Sequence, residues 1–195
     1  MKNIVVNKLD PRVIKTKKQL MQAFKDLVLL YDDFMTITVK ELCDKAGVSR
    51  KTFYLHYTQV DELFVELQDE AIVTFYKAIA GLDIFNDVEQ VVTAYFDINE
   101  SNPVYQKLCL SPQYVFIKEL VRKKGAALYE EEEGSEKLIH NNAVIRDYIA
   151  CFYYYSGYLL YSKWVRSNRS IPMDDAIKLA SNLIKNGVSS MKKSE

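Results

Sequence analysis

Residues 36–63 read TITVKELCDKAGVSRKTFYLHYTQVDEL, and this stretch decides the fold around it. Thr38 is a good helix N-cap, and Glu41, three residues later, is its partner in a capping box. Apolar residues follow at the i, i+3, i+4, i+7 spacing of one helical stripe. They are Val39, Leu42, Cys43 and Ala46. Gly47 favours the left-handed conformation that ends a helix, so we predict a two-turn helix followed by a tight turn.

A second short helix is predicted from about residue 50 to residue 55, with Ser49 as its cap. Phe53 lies on its core side, with Tyr57 four residues on. The opposite, solvent-facing side carries a different set of residues. They are Arg50, Lys51 and Tyr54.

Two helices joined by a turn of about four residues form a helix-turn-helix when the second helix carries outward hydrogen-bond donors. The alternative is a helical hairpin inside a larger bundle, with charges that are merely solvated. The two caps, the turn glycine and a helix too polar on one face to be buried favour a nucleic-acid reader.

Charge is distributed unevenly along the 195 residues, although the net charge is zero. Residues 1–60 hold 11 Lys and Arg against 6 Asp and Glu, a balance of +5, and residues 61–195 hold 15 against 20, a balance of −5. A basic N-terminal part followed by an acidic body is the asymmetry expected of a DNA reader with a second domain.

The segment AGVSRKTFYLHYTQVDEL, residues 46–63, resembles the signature of the TetR family of bacterial repressors. The forms ITV, RKTFY and HY are similar to the subgroup that includes the dihydroxyacetone-operon regulators. The resemblance is strong over residues 12–67 and looser beyond, although residues 148–188 also look like that subgroup's C-terminal domain. It implies an all-α fold, with an N-terminal three-helix DNA-binding domain at residues 1–58. Residues 59–195 would form a helical domain for dimerisation and effector binding.

One departure concerns Val60, because the family usually has a phosphate-contacting Lys at that position. Affinity would then depend more on Arg50, Lys51 and Tyr54. We predict that Arg50 or Lys51 hydrogen-bonds guanine edges and that Tyr54, Thr38 and Ser49 hold phosphates. The full predicted DNA-binding set is Thr38, Ser49, Arg50, Lys51, Thr52, Tyr54 and His56.

The flanking helices follow from apolar periodicity. The first is predicted from Pro11 to about Leu30, and its first turns carry basic side chains that either clamp phosphates or are ordinary solvated charges. These are Arg12, Lys15, Lys17 and Lys18. A fourth helix is predicted from about residue 59 to residue 80. The body helices are predicted at 87–99, 104–110, 113–129, 141–167 and 173–192.

Residues 148–164 read YIACFYYYSGYLLYSKW, which is apolar nearly all round and therefore buried on more than one side. In the TetR family the last two long helices form a four-helix dimer interface, and this segment and the last helix resemble them. The resemblance implies an isologous homodimer. Its predicted interface residues are Tyr153, Gly157, Leu160, Trp164, Ala176, Ala180, Leu183, Ile184 and Gly187.

Aromatic residues are more numerous in the body than a plain dimerisation bundle needs. A cavity with an aromatic wall and a few polar tips is the usual form of a small-molecule site, and the alternative is a solid core. The predicted effector-pocket residues are Tyr95, Phe96, Tyr105, Tyr114, Phe116, Phe152, Tyr155 and Tyr158.

Catalytic chemistry and membrane insertion are not indicated. His56 and His140 are isolated, and the chain has no HExxH, CxxC, GxSxG or glycine-rich phosphate loop. The three cysteines lack paired spacing, which favours buried thiols in a reducing cytoplasm. No run of eighteen apolar residues occurs. We predict no enzyme activity, no cofactor, no metal and a cytoplasmic location.

The prediction is a homodimeric transcriptional regulator that represses at a pseudo-palindromic double-stranded DNA operator and is released by an effector. The first alternative is an activator controlled by a partner protein that docks on the C-terminal domain. The second is a small helical enzyme or carrier with a vestigial DNA module.

Overall fold

The structure is a computed structural model that describes residues 10–83, 86–111 and 143–189. Within these ranges the chain forms eight α-helices and one short 3-10 helix, without a strand. The predicted all-α fold class is therefore confirmed. The helix predicted at 113–129 lies outside the described residues, as do Tyr114 and Phe116.

The chain divides into two compact units, Met1–Leu67 and Gln68–Glu195. We call the first unit the head and the second the body. The division falls inside the fourth helix, further along the chain than the boundary predicted at 58–59. That boundary concerns functional domains and stays a prediction.

The head contains four α-helices that begin close to the predicted positions and a 3-10 helix that was not predicted. They are α1 (Pro11–Leu30), the 3-10 helix (Phe34–Thr36), α2 (Val39–Ala46), α3 (Arg50–Tyr54) and α4 (Asp61–Ala78), of which α4 continues into the body.

The start of α2 and the turn between α2 and α3 are built as the sequence predicts. The Thr38 side chain accepts a hydrogen bond from the backbone N–H of Glu41, and the Glu41 carboxylate accepts one from the backbone N–H of Thr38. Gly47 ends α2 with φ of +67°, a conformation that strains residues with a Cβ. Ser49 accepts a hydrogen bond from the backbone N–H of Thr52 and caps α3. Both ends of the turn are therefore fixed by local contacts.

The head has its own apolar core, in which each helix contributes large side chains. Phe53 of α3 is fully buried, and its ring lies 5.7 Å from the ring of Tyr57. The Phe34 and Phe64 rings pack with centroids 5.4 Å apart. The short α3 is thus anchored by its inner face.

The body contains four further described helices: α5 (Val88–Ser101), α6 (Pro103–Leu110), α7 (Ala143–Arg166) and α8 (Met173–Ser189). They share one core, formed largely by Phe96 of α5, Tyr161 and Trp164 of α7 and Ile184 of α8. Over the described residues, none of the helices combines the length and the apolar character needed to cross a membrane.

The turn between α7 and α8 has an unusual backbone. Asn168 and Arg169 have φ of +57° and +52°, a left-handed conformation that is uncommon outside glycine. Arg169 donates hydrogen bonds to both carboxylate oxygens of Glu100, at 3.0–3.2 Å, and its guanidinium lies 5.4 Å from the Trp164 ring centroid. These side-chain contacts hold the turn on the body core.

Candidate functional site

Helix α3 presents a basic and aromatic surface. Arg50 and Lys51 are exposed, Tyr54 is 59% exposed, and Phe53 on the opposite side is 0% exposed. The predicted orientation of these four side chains is confirmed. We call Arg50, Lys51 and Tyr54 the reading face.

Two of the three hydroxyl groups predicted to hold phosphates, those of Thr38 and Ser49, already have protein partners. The Thr38 hydroxyl donates to Glu41 Oε2 at 2.7 Å, and the Ser49 and Thr52 hydroxyls share a hydrogen bond of 2.8 Å. A phosphate must therefore compete with the two helix caps for these groups. The remaining predicted residue, His56, is half-buried at the end of α3.

Glu41 ties the start of α2 to the end of α1. The Tyr31 hydroxyl donates to Glu41 Oε1 at 2.5 Å, while Thr38 occupies the other carboxylate oxygen. Hydrogen bonds that favour the charged carboxylate lower its pKa. The bond from Tyr31, followed by those from Thr38, lowers the pKa of Glu41 to about 2.

We expect Glu41 to make the stability of the head depend on pH. Its folded-state pKa of about 2 lies below the ordinary glutamate value of 4.5, so its contribution to stability is present above pH 4.5 and is lost as the pH falls towards 2. Glu41→Gln should remove this component. Denaturation midpoints from pH 7 to pH 2.5 should therefore converge for wild type and Glu41→Gln. Asp44→Asn removes a carboxylate from the same helix and serves as the control. A gap between wild type and Glu41→Gln that stays constant with pH would contradict the assignment.

Glu66 of α4 receives two side chains from the rest of the head. Lys17 of α1 pairs with Glu66 Oε1 at 2.9 Å, and the Tyr57 hydroxyl donates to Glu66 Oε2 at 2.9 Å. The Lys17 ammonium also lies 4.8 Å from the Tyr57 ring centroid. Burial, followed by the bond to Glu66, raises the pKa of Tyr57. Sequence periodicity did not indicate this cluster, because its members are 9 and 49 residues apart.

The basic residues of α1 fall into two groups. Lys17 is held by Glu66, whereas Arg12, Lys15 and Lys18 are exposed. The phosphate clamp considered for α1 would therefore depend on the three exposed residues.

One exposed residue next to the reading face was missed by the sequence analysis. Leu55 follows Tyr54 and is 73% exposed. Its position four residues after Lys51 was the available signal, since residues four apart share a helix face. Val60, which departs from the TetR family signature, is half-buried.

The described members of the predicted effector pocket occupy different environments. Phe96, Tyr105 and Tyr158 are buried, and Tyr95 and Tyr155 are half-buried. Phe152 is 41% exposed. A wall residue of an enclosed site would be buried, so Phe152 does not fit that role in the protomer.

Three tyrosine hydroxyls in the body have protein partners. Tyr161 donates to Glu100 Oε1 at 2.7 Å, and Tyr105 donates to Glu70 Oε1 at 2.9 Å. The Tyr95 hydroxyl lies 3.3 Å from Cys109 Sγ. These hydroxyls therefore are not the free polar tips that we expected in a ligand pocket.

Four residues of the predicted dimer interface lie inside the protomer core. They are Trp164, Ala176, Ala180 and Ile184. A side chain that is already buried has no surface left to bury against a partner, so these four do not fit the predicted role. Tyr153, Gly157 and Leu160 are half-buried, and Leu183 is 54% exposed. Gly187 faces Phe152 of its own protomer, where an added Cβ would lie 2.8 Å from Phe152 Cζ.

The body nevertheless exposes several large apolar residues on its last two helices. Successive members on α7 are four, four and seven residues apart, and the two on α8 are four apart. Each set therefore lies on one side of its helix. We call these residues the apolar stripe. They are Val144, Tyr148, Phe152 and Leu159 on α7 and Leu179 and Leu183 on α8.

Two sequence relatives are helix-turn-helix proteins. The HTH-type transcriptional regulator YxbF of Bacillus subtilis strain 168 is 36% identical over 55 residues, which is 28% of this chain and 14% of that protein. The chain thus spans a small part of that relative's length. An HTH-type transcriptional regulator of Haemophilus influenzae is 24% identical over 153 residues, 75% of this chain and 69% of that protein. No protein-family model matches the chain.

Solved structures of transcription regulators share the fold. The fatty acid degradation regulator FadR from Bacillus halodurans has a TM-score of 0.63 at 17% identity, over 89% of this chain and 96% of that one. A TetR family transcription regulator from Marinobacter aquaeolei VT8 has a TM-score of 0.59 at 19% identity, over 90% and 96%. The fold is therefore that of TetR-like regulators with an N-terminal helix-turn-helix. The relatives and the structural neighbours are transcription regulators rather than enzymes.

Proposed function

We propose that this chain is a DNA-binding transcriptional regulator that inserts α3 into the major groove of an operator. The observation that carries the proposal is the reading face itself. Arg50, Lys51 and Tyr54 are exposed on a helix whose other side is anchored by the fully buried Phe53. A rigid helix with outward donors can hold base edges at a fixed geometry.

The reading face divides into two roles. Arg50 and Lys51 present charged donors that match the acceptors on guanine, whereas the Tyr54 hydroxyl at the rim suits a phosphate oxygen. Thr38, Ser49, Thr52 and His56 have secondary roles in this proposal, because the three hydroxyls already have hydrogen-bond partners and His56 is half-buried.

Assembly as a homodimer follows from the small footprint of one head. A single α3 covers few base pairs, and an isologous dimer would read a pseudo-palindromic operator with two heads. The apolar stripe supports this proposal, since each of its large apolar side chains is 41–73% exposed on α7 or α8. The stripe therefore replaces the buried residues of the predicted interface.

Repression relieved by a small-molecule effector is the mode we propose. Gln68 of α4 supports it. Its side chain is 2% exposed, and within the described structure neither amide atom has a hydrogen-bond partner. A buried unpaired polar group is destabilising by about 1–3 kcal/mol. A ligand with both a hydrogen-bond donor and an acceptor would pair with the amide and remove this cost.

The effector is tested by screening for compounds that raise the melting temperature and also release bound DNA. The alternative of an activator controlled by a partner protein stays a prediction, as does membership of the dihydroxyacetone-operon subgroup. Compounds that stabilise the chain without releasing DNA would speak against an effector-released repressor.

We expect Arg50→Ala and Lys51→Ala each to weaken binding to DNA. Loss of a base contact should cost ~1–3 kcal/mol and relax specificity at one base pair. Loss of a phosphate contact should instead weaken all sequences alike and reduce the salt dependence. The probe is a duplex selected by wild type from a random-sequence library, and fluorescence anisotropy at several salt concentrations is the measurement.

Lys77→Ala is the matched control, because Lys77 is an exposed cation on α4 in the body. Lys77→Ala should bind the selected duplex with wild-type affinity. Unchanged binding by both Arg50→Ala and Lys51→Ala would overturn the assignment of α3. Failure of wild type to select any duplex would overturn the proposed function as a whole.

A further inference from the structure

Leu55 is a large aliphatic residue with most of its surface in solvent. It is 73% exposed, more than the neighbouring Tyr54 at 59%. Its backbone N–H bonds to the carbonyl of Thr52, so its place at the end of α3 is fixed. The side chain therefore projects from an ordered position without packing on the head core.

Helix geometry places Leu55 beside the reading face. At 3.6 residues per turn, positions 50, 51, 54 and 55 fall within an arc of about 140°. Phe53, on the buried side, lies outside that arc. Any surface that approaches Lys51 and Tyr54 therefore also meets Leu55.

The chemistry of the major groove limits what an aliphatic side chain can recognise there. Guanine, adenine and cytosine present hydrogen-bond donors and acceptors, whereas thymine also presents the apolar C5-methyl group. A leucine next to a polar base edge excludes water without supplying a hydrogen bond, which is unfavourable. Contact with a methyl group buries apolar surface from both sides.

We propose that Leu55 is a specificity-determining residue that contacts the C5-methyl group of a thymine in each operator half-site. This inference rests on the proposed function, because it requires α3 to lie in the major groove. It adds a base preference that the charged residues do not provide. Arg50 and Lys51 select guanine, and Leu55 selects thymine at a neighbouring position.

The test removes single methyl groups from the DNA. The probe is a duplex selected by wild type from a random-sequence library, in which each thymine is replaced in turn by deoxyuridine at both symmetric positions. Burying a methyl group contributes about 0.8 kcal/mol, so wild type should lose about four-fold in affinity per methyl at one position and about fifteen-fold for the symmetric pair. Leu55→Ala should show no loss at that position.

Two controls separate this contact from indirect effects. Leu30→Ala removes an equally exposed leucine, 72% exposed at the end of α1, and should keep the wild-type methyl profile. Leu55→Ala should also have the wild-type melting temperature, because an exposed side chain contributes little to stability.

The outcomes distinguish this inference from the proposed function. A wild-type profile that is flat at every thymine, or a Leu55→Ala profile equal to that of wild type, overturns the inference while DNA binding stands. The inference is also overturned when Leu55→Ala weakens binding equally for the thymine and deoxyuridine duplexes, because Leu55 then contacts the DNA backbone. A wild-type chain that selects no duplex overturns both.

Discussion

We expect the double substitution Leu179→Glu, Leu183→Glu to convert the protein to a monomer and to abolish tight operator binding. Both leucines are just over half exposed, at 53% and 54%, on the α8 part of the apolar stripe. In an isologous interface the same patch meets itself, so each glutamate would lie in an apolar contact near its symmetric copies. Sedimentation velocity measures the assembly, and anisotropy on the selected duplex measures the affinity.

The expected loss of affinity is large because the two linked heads of the proposed dimer would bind with avidity. Linking two sites raises the apparent affinity by about 10²–10⁴-fold, and a monomer loses this factor although its reading face is intact. Lys178→Glu, Lys185→Glu is the control, since it changes charge on α8 away from the stripe. A dimeric Leu179→Glu, Leu183→Glu variant would contradict the interface.

A charge at Ala180 would be a poor test of the same interface. Ala180 is 2% exposed and packs in the core of its own protomer. Arginine there would unfold the body, so any loss of the dimer would result from unfolding and not from a broken interface. The exposed leucines test the interface without disturbing that core.

The head was predictable from the sequence because its signals are local. The capping box of Thr38 and Glu41, the turn glycine Gly47 and the cap Ser49 each act within about four residues. Such signals appear directly as spacing in the sequence. The exposed and buried sides of α3 then followed from helix periodicity, with Phe53 buried as predicted.

The body was less predictable because α7 is apolar nearly all round. When every side of a helix carries large apolar residues, periodicity cannot separate the side that meets the core from the side that remains exposed. Trp164 was accordingly assigned to the interface, although it packs on Phe96 with centroids 5.6 Å apart. Leu159, on the exposed side, was not assigned at all.

Features that depend on contacts between residues distant in sequence were not predicted. The pairing of Arg169 with Glu100 joins positions 69 apart and holds a turn with two non-glycine residues at positive φ. Nothing in the local sequence indicates this turn, because asparagine and arginine there also fit a helix end. Gln68 is a different case, because an amide in a helical apolar pattern gives no sign that it lacks hydrogen-bond partners within the described part of the chain.

The second large effect is expected from Phe96→Ala, which should destabilise the body by about 3–5 kcal/mol. Phe96 is 0% exposed, and its ring packs edge-on against Tyr161 at 5.1 Å between centroids. Removing it leaves a cavity where α5 meets α7. Trp164 is the one tryptophan of the sequence and borders this ring, so urea unfolding followed by its fluorescence reports the affected core directly.

Two further variants show how the loss of stability depends on side-chain volume and burial. Phe96→Leu retains most of the side-chain volume and should cost less than Phe96→Ala, because the residual cavity is smaller. Val73→Ala truncates a residue of α4 that is 37% exposed and should stay within about 0.5 kcal/mol of wild type. All four proteins are compared at one concentration, since the proposed dimerisation would couple stability to concentration. A Phe96→Ala midpoint no lower than that of Val73→Ala would show that Phe96 does not pack as described, because a fully buried ring cannot be removed without loss of its contacts.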